Sequence, residues 1–446
     1  MSATNSLPFH LRGNFAPVRN EMTAFDLPVQ GTIPRDLRGR YVRNGPNPRT
    51  GTSPHWFAGD GMLHGVELRD GHATWYRNRW VRTRVYVENA KSLREDRTRD
   101  VSVGVANTHI VMHAGRILAL VETALPMEVT RELDTVGCFD YGGRLKTAMT
   151  AHPKVCPRTG ELHFFAYNWQ GTPPWLTYYR ADARGQLVQS EVIEVPGPTL
   201  MHDFAITEKH VVFMDLPIVF DSELAKSSPI PFRWSDDHRA RLGVMPRGGT
   251  NADVRWFEIA PCWVGHTFNA YEDEHGGIVM AVVRFDEMLR DHSAPPKPSL
   301  LHRWRIDPAT GQVSDQRLDD RVIEYPRFDE RRMGAPYRYG YAVYTVHGVD
   351  LTAATAVIKY DLRSGASMVH EFGAGRIPSE PAFVPASAAA AEDEGWLMTY
   401  VYDAARDGSD LVILNAADIA GAPVATITLP QRVPFGFHGN WIEDTQ

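Results

Sequence analysis

The sequence predicts an all-β protein: a sandwich, a barrel or a propeller, with a propeller favoured. Short runs rich in β-branched and aromatic residues recur along the whole chain, separated by Gly, Asp or Asn turns at near-regular intervals. Helical periodicity is scarce. The number of hairpins within 446 residues favours several blades of about four strands each, although no repeat is sharp enough to count blades. No linker composition interrupts the series, so the chain reads as one domain, 1–446.

The elements follow in order. Residues 1–30 read as an arm without strong periodicity. Gly39-Arg-Tyr-Val-Arg-Asn-Gly-Pro-Asn-Pro48 is a strand running into a turn, and Trp56-Phe-Ala-Gly-Asp-Gly-Met-Leu-His64 contains a tight Gly-Asp-Gly turn. Spans 65–68 and 73–77 form a hairpin around Asp70-Gly71, and 108–112 and 116–123 flank Ala114-Gly115. Further strands are expected at 162–167, 176–180, 187–193, 210–216, 267–272 and 277–285. The series continues with 300–306, 313–318, 339–346, 356–361, 395–402 and 410–415. Between them, 217–250 reads as one long insertion between strands, with short helical pieces at 222–225 and 236–242. Residues 386–391 with Glu392-Asp-Glu394 read as a solvated loop.

Composition bounds the function. Hydrophobic residues make up 43% and charged residues 23%, enough for a sizeable globular core. A formal charge of −7 gives no electrostatic case for nucleic acid. Cys138, Cys156 and Cys262 form no CxxC pair and are too few for a disulfide framework, which fits a reducing compartment; Cys156 and Cys262 read as small buried hydrophobes. The first residues lack a basic stretch followed by an apolar run, and the apolar window 110–127 is broken by His113, Arg116 and Glu122. A cytoplasmic protein is expected.

Four of the 18 histidines stand apart by context: His152 in Thr150-Ala-His-Pro-Lys154, His202 in Leu200-Met-His-Asp-Phe204, His266 in Gly265-His-Thr-Phe-Asn269 and His438 in Gly436-Phe-His-Gly439. Each adjoins apolar or aromatic residues at a strand edge. One ligand per blade is what a metal on a propeller axis would collect, and an all-imidazole set with open positions suits O₂-activating iron(II). No HExxH pair is present, so spacing alone is a weak signal; core histidines bonded to backbone remain the alternative.

Ordered motifs over nearly the whole length resemble the carotenoid cleavage oxygenase family, non-haem iron proteins that include lignostilbene dioxygenases. The matching pieces are the 39–48 segment, Phe57-Ala-Gly-Asp-Gly-Met-Leu-His64, Ala151-His-Pro-Lys154, Met201-His-Asp-Phe204, Gly265-His-Thr-Phe-Asn269, Ser379-Glu-Pro-Ala-Phe-Val384, Asp393-Glu-Gly-Trp396 and Phe435-Gly-Phe-His-Gly439. The resemblance implies a seven-bladed β-propeller with a dome of loops and short helices over Fe2+ bound by His152, His202, His266 and His438. It implies that Glu122, Glu324 and Glu380 orient three of the histidines, and that Thr108 places a methyl near the open side of the iron. The reaction implied is scission of an electron-rich alkene by O₂ to two carbonyl products, with no protein acid or base.

An aromatic-lined tunnel would position the alkene, with Trp56, Phe57, Tyr86, Phe165, Trp169, Trp175, Phe268 and Phe437 as candidates whose alternative is plain core packing. Lignostilbene-cleaving relatives carry a lysine where this chain has Val121, which favours an apolar polyene over a phenolic alkene. Leu216-Pro-Ile-Val-Phe220 and Pro229-Ile-Pro-Phe-Arg-Trp234 are candidates for an apolar rim touching membrane lipid, or for packing of the insertion on the propeller. The rival readings are cleavage of a stilbene or other phenylpropanoid, an isomerase acting without O₂, and a metal-free propeller that binds a partner.

Overall fold

The computed structural model describes residues 7–95, 98–169, 172–293, 297–345 and 351–444. These residues form seven antiparallel sheets arranged as a seven-bladed propeller, plus one two-stranded ribbon. Runs rich in apolar, β-branched and aromatic residues make the strands, several of them buried along their whole length as in Gly39–Pro46 and Leu162–Tyr167, and antiparallel neighbours joined by short turns make each blade. Blade 2 (His109–His113 to Thr135–Cys138), blade 3 (Lys154–Val155 to Leu187–Ile193), blade 5 (Trp263–Glu272 to Val313–Arg317) and blade 6 (Ile323–Phe328 to Ser367–Glu371) are sequential meanders. Blade 4 runs from Ala205–Ile206 through His210–Asp215 and Arg241–Pro246 to Arg255–Glu258.

Both chain ends close the ring. The C-terminal strand Gly439–Glu443 pairs with Gly39–Pro46 as the inner strand of blade 1, whose outer strand is Met22–Phe25. Val29–Gly31 pairs with Ala425–Thr428 on the outside of blade 7. The expected arm is therefore two strands of two different sheets, because each satisfies an otherwise open edge. Between these blades Tyr41 and Tyr400 pack with centroids 4.9 Å apart, and the Tyr41 hydroxyl donates to the Glu380 carbonyl at 3.0 Å.

The insertion is shorter than 217–250. Ile218–Phe220 pairs with Phe232–Trp234 as the ribbon, but Arg241–Pro246 is an interior strand of blade 4. The helical piece expected at 236–242 is absent for that reason. Hydrogen bonds to strands on both sides outweigh local propensity, and Leu242 is fully buried. The other expected piece is a single 3-10 turn, Leu224–Lys226. The proposed lipid rim is largely interior, since Leu216, Ile218, Phe232 and Trp234 are buried in the core of blades 3 to 6. Arg84–Glu88 is the one α-helix among the described residues, and none of their helices is long and apolar enough to cross a membrane. In the 392–394 segment, Glu392 accepts from the Arg338 and Tyr339 amides at 2.6 and 2.7 Å, and Asp393 pairs with Lys359 at 2.6 Å.

Candidate metal centre

Each of the seven blades delivers one member of the axial site. His438 leads into the inner strand of blade 1, His152 into that of blade 3 and His202 into that of blade 4, while His266 lies on the inner strand of blade 5. Glu122 follows the second strand of blade 2, Glu324 is on the inner strand of blade 6, and Glu380 occupies the break between Arg376–Pro378 and Ala382–Pro385 in blade 7.

One nitrogen from each of the four histidines lies within 4.8 Å of all the others. His202 Nε2 stands 3.1 Å from His152 Nε2 and 3.3 Å from His266 Nε2. Neutral imidazole nitrogens turned lone pair to lone pair at such distances repel unless a cation lies among them, so this donor set fits a metal ion. Burial first, then the neighbouring imidazoles, holds His152 and His438 well below the ordinary histidine range, which keeps them neutral and able to ligate.

Three rings are oriented from behind. His202 Nδ1 donates to Glu122 Oε2 at 3.0 Å, His266 Nδ1 to Glu324 Oε2 at 2.7 Å and His438 Nδ1 to Glu380 Oε1 at 2.9 Å. A carboxylate that accepts the Nδ1 proton fixes the tautomer and leaves Nε2 free for a metal. Burial lowers His202, but the carboxylates of Glu122, Asp203 and Glu324 together outweigh it, giving a net rise. The carboxylates are themselves held. Glu324 Oε2 accepts the Tyr325 amide at 2.8 Å, and Glu380 Oε2 accepts the Gly439 amide at 2.8 Å and lies 3.4 Å from Arg327 Nη1. For His152, the backbone amide is tied to Thr150 Oγ1 at 3.1 Å.

The other sequence candidates divide. Thr108 sits beside the centre: its carbonyl accepts the His438 amide at 3.0 Å, and its hydroxyl donates to Asn107 Oδ1 at 3.0 Å. Val121 is buried next to Glu122. Phe437 packs against Trp56 at 4.5 Å and Phe57 at 5.5 Å, and Phe57 is 53% exposed, so aromatic surface runs from solvent to the neighbour of His438. Trp169 packs against Phe220 and Phe232, and Trp175 is half-buried. Phe268 and Phe165 are fully buried core: a Cβ on Gly340 of the next blade would lie 2.7 Å from the Phe268 ring, and Phe165 packs on Phe204 at 5.2 Å. Tyr86 is occupied by Arg49 and Arg82, 4.8 and 4.5 Å from its ring centre. Cys156 and Cys262 are buried free thiols outside the cluster.

Two residues were not legible beforehand. Tyr325, with a left-handed φ of 56°, stacks on His266 at 5.7 Å and stands 5.5 Å from His438. Its place between Glu324 and Pro326 was the available signal. His109 donates Nδ1–H to the Ala151 carbonyl at 2.7 Å, lies 5.0 Å from the His438 ring and keeps a buried Nε2 without a partner. Burial and the adjacent His438 push it down to about 3. Nothing in its local sequence separates it from an ordinary strand histidine.

A propeller that brings four imidazoles to its axis, three of them backed by carboxylates, defines a metal-dependent enzyme. The family model described as retinal pigment epithelial membrane protein matches residues 15–443. A carotenoid cleavage oxygenase of Mycobacterium tuberculosis is 40% identical, with 98% of each chain covered. Among solved structures, the Pseudomonas brassicacearum lignostilbene dioxygenase aligns with a TM-score of 0.88 at 30% identity, covering 98% of this chain and 100% of that one. A cobalt-substituted Synechocystis apocarotenoid oxygenase aligns at 0.87 and 27% identity, covering 96% and 97%. The chain belongs to the carotenoid cleavage oxygenase family. It is an oxygenase with a four-histidine metal site.

Proposed function

We propose that the chain is a non-haem iron(II) dioxygenase that cleaves a conjugated double bond of a carotenoid or apocarotenoid to two carbonyl products. The observation that carries this reading is the convergence of His152, His202, His266 and His438 within 4.8 Å. Bound iron(II) would supply the chemistry that brings O₂ to an electron-rich alkene. The protein holds the ligand rings: Glu122, Glu324 and Glu380 retain the Nδ1 protons of three of them, so the nitrogens facing the axis stay available as ligands. No side-chain acid or base is needed. The work left to the chain is to fix one double bond over the metal and to exclude water, which the Phe57–Phe437 approach and the apolar Val121 wall support. Thr108, whose hydroxyl is turned to Asn107, is assigned to the open face of the metal.

The polyene is favoured over a phenolic alkene by Val121 and by the likeness to the mycobacterial carotenoid cleavage oxygenase. The phenolic reading is favoured by the fit to the lignostilbene dioxygenase structure. Aerobic incubation of the iron-loaded protein with an apocarotenal and a 4-hydroxystilbene together, followed by mass spectrometry of aldehydes, separates them. Polyene aldehydes are expected. Aromatic aldehydes alone would overturn the substrate assignment, and neither product from iron-loaded protein would overturn the reaction.

A further inference from the structure

On the segment that runs beside Glu122, Arg99 is a cation without a counter-ion among the described residues. The Arg99 guanidinium carbon lies over the Trp169 ring, 4.8 Å from its centre. Its Nε is buried and has no hydrogen-bond partner. Asp100, its chain neighbour, is taken by Arg84 and Arg94 at 3.3 and 3.2 Å, and among the described residues no carboxylate pairs with Arg99. Burial lowers Arg99 from the usual arginine range, and the group that works against this is Tyr167.

The segment after Arg99 runs beside the one that carries Glu122: the Val101 carbonyl accepts the Leu125 amide at 2.8 Å, and a Cβ on Gly104 would lie 3.2 Å from the Val121 side chain. Burial, followed by the Glu122 carboxylate, raises the Tyr167 phenol and keeps it protonated. Glu122 in turn holds His202 at 3.0 Å. On the other side, the Trp169 ring packs against Phe220 at 5.4 Å and Phe232 at 5.6 Å, both on the ribbon of the insertion. A cluster of aromatic rings therefore adjoins a guanidinium, and Val121, beside Glu122, contributes no charge.

A half-buried arginine without an anion is costly to keep. A guanidinium held over an indole keeps N–H donors for two parallel hydrogen bonds, the geometry that suits an oxyanion. We propose that Arg99 is a specificity-determining residue that receives an oxyanion, a carboxylate or a phenolate, at the far end of the alkene, with Trp169 packing the adjoining conjugated chain. This inference rests on the alkene-oxygenase reading and refines it: the preferred substrate is a conjugated alkene ending in an oxyanion, not a plain hydrocarbon.

The test compares binding and turnover on iron-loaded full-length protein. Equilibrium binding without O₂ is measured for a polyene carboxylic acid and its methyl ester, and for 4-hydroxystilbene and 4-methoxystilbene. Turnover with O₂ follows, for the wild type, Arg99→Met and Arg99→Lys. The free-oxygen ligand of one pair is expected to bind at least about tenfold more tightly than its capped partner, with the ratio near one in Arg99→Met and partly restored in Arg99→Lys. The pair that discriminates identifies the oxyanion as carboxylate or phenolate. Equal binding of capped and free ligands by the wild type overturns the inference, as does a preference that survives Arg99→Met. Iron content and thermal midpoint check that the variants fold; the wild-type comparison decides even if one does not. Discrimination without cleavage would leave the oxyanion subsite standing and overturn the reaction, whereas cleavage without discrimination does the reverse.

Discussion

Lys154 Nζ stands 2.7 Å from Asp203 Oδ1, and this buried pair joins the inner edges of blades 3 and 4 two residues after His152 and one after His202. Asp203 Oδ2 also accepts the amide and hydroxyl of Thr267 in blade 5, at 2.8 and 2.9 Å, next to His266. One carboxylate thus spaces three of the four ligand strands. Removing one partner of a buried ion pair strands the other charge. Asp203→Ala is therefore expected to cost about 3–5 kcal/mol in denaturant unfolding and to weaken metal binding. A loss below about 1 kcal/mol would show that the pair is not what spaces these strands.

The fourth ligand depends on two glycines. A Cβ on Gly436 would lie 2.8 Å from the Asn44 carbonyl and 2.9 Å from Gly45 Cα, so the segment before His438 packs backbone to backbone on blade 1. The methyl of Gly436→Ala must push that segment outward, and His438 with it. We expect a loss of about 1–3 kcal/mol in stability, characteristic of overpacking, together with lower iron occupancy measured by metal analysis. Unchanged iron content would show that the segment yields without moving His438.

Glu380 is both a ring orienter and a strand-end acceptor, since it takes His438 Nδ1–H and the Gly439 amide. Glu380→Gln keeps the shape but removes the charge that makes His438 a better donor to a metal. Iron affinity in competition with a chelator is expected to fall about 10- to 100-fold. An affinity equal to wild type would assign Glu380 to backbone support alone.

Acid should loosen the face of the propeller around Glu272. Burial would raise this carboxyl, but hydrogen bonds from His210, Thr207 and the Lys209 amide hold it below the usual glutamate range. The folded value lies below the unfolded one, so its contribution is fully present above the unfolded value and is lost as pH falls through the folded one. Between about pH 6 and about pH 3 the urea midpoint should fall less steeply for Glu272→Gln than for wild type. Parallel curves would place the acid sensitivity elsewhere.

Much of the architecture lies in local pattern. The strands at Leu162–Tyr167 and Leu187–Ile193 have the bounds their flanking turns and apolar runs predict, and the turn-flanked His152, His202, His266 and His438 stand out because apolar neighbours at strand edges are visible in one dimension. At 236–242 the local pattern is overridden because Arg241 and Leu242 open a strand held between His210–Asp215 and Arg255–Glu258, both outside the local window.

By itself, the sequence determined an all-β chain of repeated hairpins and, through ordered motifs, the family and its four candidate ligands, because strand alternation and turn chemistry are properties of neighbouring residues. Tertiary structure decided where those side chains point. The inner strand carrying His266 slips register between Val264 and Thr267 and again between Thr267 and Ala270, and the strand carrying Glu324 slips before Arg327. Each bulge re-aims the side chains that follow it, which is how Tyr325 comes to lie on His266. The pairing of Arg99 with Trp169 rather than with Asp100 belongs to the same level. A side chain's partners are set by which strands close the ring, and that is settled only when all seven blades are assembled.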